Sequence, residues 1–205
     1  MRKIKKHIRY SSPMVNAPNI TYFKGQLQLL SRVNASLQKG SLLIIKGPNG
    51  TGKSTLLRLL SGLTAQSRGA LRGPCKGLSA KQHFLTHTYQ LDLELTVHEN
   101  LRFLCTLYNQ KESSFARFLS IAKLTSVEDM KVKYLSEGQK RRVQMIQLAL
   151  IPAPQWFLDE PVASLDEGAV SILRRIIRRH HQAGGSAVMS THFPFLSTSV
   201  HIVEL

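Results

Sequence analysis

An α/β fold built on a mainly parallel sheet is predicted by three observations. Apolar runs of strand length, among them Leu42-Leu43-Ile44-Ile45, Gln155-Trp156-Phe157-Leu158 and Ser186-Ala187-Val188-Met189, alternate with helical patterns. The first run leads into Gly47-Pro48-Asn49-Gly50-Thr51-Gly52-Lys53-Ser54-Thr55 and then Leu56-Leu57-Arg58-Leu59-Leu60, which reads as strand, loop, helix. The second ends in the carboxylates Asp159-Glu160, and in open α/β sheets ligands gather at the C-terminal ends of strands.

Taken in order, Asn19 to Gln38 holds short apolar stretches broken by Lys24-Gly25 and Ser31-Arg32, which predicts two antiparallel strands before the first parallel one. Gly40 turns the chain into Leu42–Ile45. The glycines that follow let the backbone curl until its N–H groups point at a polyphosphate, and the next helix adds its positive end. That helix is predicted from Lys53 to Ser61, stopped by Gly62. Gly69 to Gly77 is turn-rich, and Phe84 to Tyr89 reads as a strand. Thr96 and Glu99 have the spacing of a capping box before a helix. Helical patterns continue at Arg102–Tyr108, Phe115–Lys123 and Glu137–Ile151, forming an inserted helical lobe. One nucleotide-binding domain over 1–205 is expected, with a core of about 19–90 and 152–205 and the lobe at about 91–151. Asp166-Glu167 opens a helix with Ile172, Leu173, Ile176 and Ile177 on one stripe and Arg174, Arg175, Arg178 and Arg179 opposite. Gly184-Gly185 ends it, and His201–Leu205 is an edge strand.

With 42% hydrophobic residues in 205, the chain can bury a sizeable core without disulfides. Cys75 and Cys105 form no Cys-x-x-Cys pair and read as reduced thiols. No apolar run has the length of a membrane-spanning helix, so work at a membrane would go through a partner. The net charge is +16, and 15 Lys and Arg precede the first acid, Asp92, while the remainder holds 13 basic and 12 acidic residues. This bias admits a nucleic-acid face, a face near anionic lipid, or a compositional bias with no dedicated partner. Few aromatic residues are interleaved to stack on bases, so no specific nucleic acid is expected. Met1 to Arg9 reads as a solvated basic tail or the remnant of a targeting sequence.

The chemistry predicted is hydrolysis of a nucleoside triphosphate. Lys53 reaches the β and γ phosphates, and Ser54 offers Mg2+ a hydroxyl. Asp159 holds Mg2+ through its water shell, and Glu160 polarises the attacking water. His192, after a strand end, is either a γ-phosphate contact or structural. Phe23, beside Tyr22, is either a ring stacked on adenine or core packing. The remaining histidines are read as structural.

Leu135-Ser136-Glu137-Gly138-Gln139, followed by Lys140-Arg141-Arg142-Val143, is a helix start with a small hydroxyl residue and a glycine. It resembles the Leu-Ser-Gly-Gly-Gln signature of ATP-binding-cassette (ABC) ATPases, within the P-loop NTPases. Nearly the whole chain shares the resemblance: the phosphate loop 47–55, the signature 135–139, Asp159-Glu160, Ser164-Leu165-Asp166 like the D-loop, and His192 like the switch histidine. The resemblance implies ATP and Mg2+ as cofactors and a head-to-tail homodimer, in which Ser136, Gly138 and Gln139 of one copy close over ATP held by the other. Two positions depart from the pattern. Glu137 stands where the family has glycine. The Q-loop glutamine, a metal contact in the family, is sought at His87 or Thr88, and Gln90 is the nearest candidate.

Leu-Arg-Leu-Leu-Ser-Gly-Leu after the loop, Thr96-Val97-His98-Glu99-Asn100-Leu101 and Ser190-Thr191-His192 are similar to ATP-binding subunits of cytochrome c maturation (haem exporter) complexes. That implies peripheral membrane association through a multi-pass, CcmB-like subunit. The expected place is the matrix face of the mitochondrial inner membrane, or the cytoplasmic face of a bacterial plasma membrane. No Cys-x-x-Cys-His haem motif is present. Two other functions remain open: the energising subunit of another ABC transporter, and a soluble ABC ATPase acting on ribosomes or nucleic acid.

Overall fold

A computed structural model describes residues 15–65, 82–86, 90–163, 165–192 and 200–205. Those residues fall into two compact units. One comprises the described residues of Met1–Phe84, Ala153–Asp159 and Ile177–Leu205, and the other those of Leu85–Pro152 and Glu160–Ile176.

In the first unit, β1 (Val15–Lys24) and β2 (Leu27–Leu37) form the antiparallel pair. Gly25, at φ +63, makes the tight turn between them. The pair begins earlier than Asn19. Val15 and Ala17 are buried and continue the inward alternation, and the turn-like Pro18-Asn19 is absorbed as a register shift between Ala17 and Ile20.

The main sheet contains β3 (Leu42–Lys46), β4 (Gln82–Leu85), β5 (Gln155–Asp159), β6 (Ser186–Ser190) and β7 (Val200–Glu204), in the order β4-β5-β6-β3-β7. β3 runs parallel to β6 and β7, and β5 parallel to β6. Every residue of β5 and β6 is buried, as expected of strands covered on both faces. β4 starts at Gln82, two residues before the expected Phe84, because Gln82 pairs with Gln155 at 3.1 Å and His83 is buried. The rest of the expected strand, 87–89, lies outside the described residues, as do Cys75, the turn-rich Gly69–Gly77 and the basic start. β7 is the edge strand, with Ile202 half exposed.

Helix α1 (Lys53–Leu60) buries Leu56, Leu57, Leu59 and Leu60 against Leu43, Ile45, Phe157 and Val188, with Ile20 and Leu30 of the hairpin in the same cluster. Each such side chain contributes about 2 kcal/mol by leaving water. Gly62, at φ +76, stops the helix as expected.

The second unit packs α2 (Val97–Leu107), α3 (Ser113–Ile121) and α4 (Glu137–Leu150) around Leu101, Cys105, Phe115, Leu119, Val143 and Ile146. Thr96 caps α2: its hydroxyl accepts from the Glu99 N–H, and the Glu99 carboxylate accepts from the Thr96 N–H. Losing such a cap costs about 1 kcal/mol. Asn100, buried behind the cap, donates to the Asp92 and Thr96 carbonyls, both at 2.9 Å. Cys105 is buried and free, and burial raises its thiol, as does Glu112. No helix among the described residues is long and apolar enough to cross a membrane.

Helix α5 (Glu167–Gln182) follows the predicted stripe in part: Leu173 and Ile177 are buried, joined by Ala169 and His180, and Arg175, Arg178 and Arg179 are exposed, while Ile172, Ile176 and Arg174 are half-buried. His180 lies flat against Trp156, with ring centroids 3.6 Å apart and planes 7° apart. Its Nε2 lies 3.2 Å from the Ser186 carbonyl. A Cβ on Gly185 would meet the ring at 2.1 Å, so only glycine fits there. Burial lowers the His180 pKa to about 3, and burial lowers those of His83 and His181 to about 4.

These depressed values make stability depend on acid. Above about pH 6.5 the three rings are neutral whether the chain is folded or not; below it the unfolded chain takes up protons that the folded chain refuses. Stability should therefore fall as pH drops from 6.5 towards 4, by at most about 1.4 kcal/mol per pH unit for each ring. A series of melting curves checks this. His180→Phe, which keeps the stack, should show a shallower decline than the parent.

Candidate active site

The loop after β3 takes its shape from three glycines. At Gly47, φ is +154 and a Cβ would sit 2.8 Å from the Leu205 carbonyl oxygen and 2.8 Å from Thr51 Oγ1. Gly50 and Gly52 are left-handed, at φ +84 and +100, where side chains are strained. The Thr51 hydroxyl donates to the Pro48 carbonyl at 3.0 Å and closes the curl. Pro48, Asn49 and Gly50 are exposed at its tip, and Thr55 is half-buried one turn into α1. Gly52 is the residue before α1 and offers no side-chain cap, so the positive end of the helix meets the loop backbone. The buried Lys53 ammonium donates to the carbonyls of Gly47 and Pro48, both at 2.9 Å, which holds it against the loop.

At the end of β5, Asp159 is 1% exposed. A carboxylate so buried needs donors. Its Oδ1 accepts from the Ser54 hydroxyl at 2.9 Å and from the Ser190 hydroxyl at 2.6 Å. Ser54 and Asp159, both predicted from sequence, are thus brought together. Ser190 was not singled out for this role; the available signal was a hydroxyl residue closing a strand of the parallel set, where Asp159 and Ser190 are register partners. His192 follows two residues later and is exposed, beyond Thr191, whose N–H donates to the Ile45 carbonyl at 3.0 Å. Phe23 is half-buried on β1, next to Tyr22, which packs on the core cluster.

Glu160 leaves β5 in a left-handed conformation, φ +48, one that costs a non-glycine residue on the order of 1 kcal/mol.

In the second unit Ser136 caps α4. Its hydroxyl accepts from the Gln139 N–H at 3.2 Å, and the Gln139 side-chain oxygen accepts from the Ser136 N–H at 2.8 Å. Gly138 is half-buried in the first turn. Glu137 is exposed and pairs with Lys140 at 3.0 Å. Arg142 pairs with Asp166. Asp166 also accepts from the Ala169 N–H and so caps α5; that backbone bond, followed by Arg142, holds its carboxyl below the usual range. Ser164 lies outside the described residues. Gln90 is exposed, and its carbonyl accepts from the Gln147 amide at 3.4 Å. Among the described residues no trio of His, Cys, Asp and Glu converges on a metal position. The donors present are instead a hydroxyl and a single carboxylate, hard oxygen ligands of the kind Mg2+ takes.

A lysine on a glycine loop and a serine tied to a strand-end aspartate recur in known proteins. The ABC transporter family model matches residues 30–163, well over half of the chain. A Xanthomonas axonopodis protein named cytochrome c biogenesis ATP-binding export protein CcmA is 34% identical over 196 residues, covering 92% of this chain and 91% of its own. The Rhodobacter capsulatus protein of the same name is 35% identical over 188 residues, covering 91% of this chain and 84% of its own. The fold matches the solved ATP-binding subunit of an ABC transporter with a TM-score of 0.75 at 24% identity, covering 88% of this chain and 80% of that one. It matches a bacterial ABC transporter cassette solved as a dimer equally well, at 0.75 and 21% identity, covering 93% and 94%. With the loop, the strand-end carboxylates and the capped signature helix on one chain, and relatives of this identity along almost all of it, the chain belongs to the ABC transporter family, as one of its ATP-binding ATPases.

Proposed function

We propose that this chain is the ATP-hydrolysing subunit of a membrane ABC complex for cytochrome c maturation, where hydrolysis serves haem export or release of a haem-loaded chaperone. The observation that carries the ATPase part is the bond from Ser54 to Asp159 beside a lysine clamped on a glycine loop. The relatives named for cytochrome c biogenesis support the pathway. Residues 1–205 act as one nucleotide-binding domain, a core of about 19–90 and 152–205 with a helical lobe of about 91–151.

The loop from Gly47 to Thr55 cradles the β and γ phosphates with its backbone N–H groups, to which Pro48 contributes none, and Lys53 turns its ammonium to them. Ser54 and Asp159 hold Mg2+, with Gln90 the candidate for a further contact; when bound, the ion neutralises charge on the phosphate oxygens. Glu160 orients a water and takes its proton as the water oxygen attacks the γ phosphorus and the bond to the bridging oxygen breaks, leaving ADP and phosphate. His192 contacts the γ phosphate, and Phe23 stacks on the adenine. Ser136, Gly138 and Gln139 close over the ATP of a second copy, as the family resemblance implies. Two chains pair head to tail and attach peripherally to a membrane through a multi-pass, CcmB-like subunit. The named relatives are bacterial, which favours the cytoplasmic face of a plasma membrane and lends no support to the mitochondrial matrix.

Lys53→Ala should lower turnover at least about a hundredfold while the chain still folds cooperatively in a melting curve; retained turnover means that the site is misread. Glu160→Gln should elute as a dimer in size-exclusion chromatography with saturating MgATP. A monomer under those conditions counts against the paired arrangement. For the pathway, a mild-detergent pull-down from native membranes should bring down a multi-pass chain with haem-handling partners. Ribosomal or nucleic-acid components in their place would leave the ATPase standing and remove cytochrome c maturation.

A further inference from the structure

We propose that Ser190 is a positioning residue for the metal-binding carboxylate, and that it sets how tightly this chain binds Mg2+ with its nucleotide. The inference rests on the reading of Ser54 and Asp159 as the metal donors. Asp159 is 1% exposed and Ser190 is fully buried, so neither finds a substitute partner in bulk water. The 2.6 Å separation between Ser190 Oγ and Asp159 Oδ1 is that of a charge-assisted bond from a hydroxyl to a carboxylate.

The two hydroxyls on that oxygen have different obligations. Ser54 belongs to the helix start and, in the proposed site, must also give its oxygen to the metal. Ser190 comes from the neighbouring strand. β6 lies between β5 and β3, and Ser190 is in register with Asp159 on one side and Ile45 on the other, so the ladders on both flanks fix its backbone. Ser190 therefore fixes the carboxylate oxygen alongside Ser54, whose hydroxyl can donate to Asp159 while its lone pair faces the metal. Removing the hydroxyl takes away a buried donor that fixes the side-chain torsions of Asp159. Partners of this outer kind control metal affinity through ligand orientation.

The test is nucleotide binding by the full chain, measured calorimetrically with ATP in excess EDTA and across a Mg2+ titration. Binding of Mn2+ with a non-hydrolysable ATP analogue, followed by electron paramagnetic resonance, gives a second readout that does not depend on turnover. Ser190→Ala should raise the Mg2+ midpoint by about tenfold, leave affinity in EDTA unchanged, and weaken Mn2+ binding in parallel. Ser190→Cys, close in volume but a weak donor, should shift the midpoint in the same direction, and it serves if the alanine variant does not fold. Ser190→Thr, which restores the hydroxyl, should return the midpoint to that of the parent. A midpoint within about twofold of the parent in Ser190→Ala, an equal loss in EDTA, or a loss that threonine does not reverse overturns the proposal. If the parent chain itself shows no Mg2+-dependent ATP binding, the failure lies in the reading of the site and takes this inference with it.

Discussion

A single buried carboxyl group at the end of β5 constrains much of the first unit. Asp159 has almost no contact with solvent, and a carboxylate in that position persists only if the protein supplies hydrogen-bond donors at fixed places. The donors come from two directions, one from the first turn of α1 and one from the end of β6. For Ser54 to arrive, the chain leaving β3 must reverse within a few residues, and the left-handed Gly50 and Gly52 make that possible. For Ser190 to arrive, β6 must lie directly beside β5 in parallel register. Loop shape, helix start and strand order thus satisfy one electrostatic requirement together.

The helix starts differ in a way that follows from their side chains. α2 and α4 begin with reciprocal caps, in which Thr96 with Glu99 and Ser136 with Gln139 engage the first-turn N–H groups. α1 begins with Gly52 and no side-chain cap. α3 likewise lacks a side-chain cap, so what sets the start of α1 apart is the glycine loop before it, whose backbone N–H groups add to the helix's positive end. On α4 the cap leaves Glu137 outside, paired with Lys140, so the acid that departs from the family's glycine is matched by a cation three residues on.

Much of the site was legible because its parts are local. Gly47 to Thr55 carries its own turn chemistry, Asp159 and Glu160 close a recognisable apolar run, and Thr96 with Glu99 is a four-residue pattern. What the sequence hid depends on partners far along the chain. Ser190 gains its role only from the register of β5 against β6, and the Trp156–His180 stack joins residues on a strand and a helix whose pairing no periodicity encodes. The hairpin also starts before the expected Asn19: it absorbs Pro18-Asn19 as a register shift, and Val15 and Ala17 still reach the core.

The left-handed backbone at Glu160 sets stability and chemistry against each other at one position. A glycine there would adopt φ +48 without the penalty that any L side chain bears, so a search for more robust variants would tend to favour it. In the proposed mechanism the same replacement would delete the carboxylate that orients the water. On that proposal, variants selected only for heat resistance would drift towards chains that fold better and turn over nothing, and a screen for sturdier forms has to score turnover alongside melting.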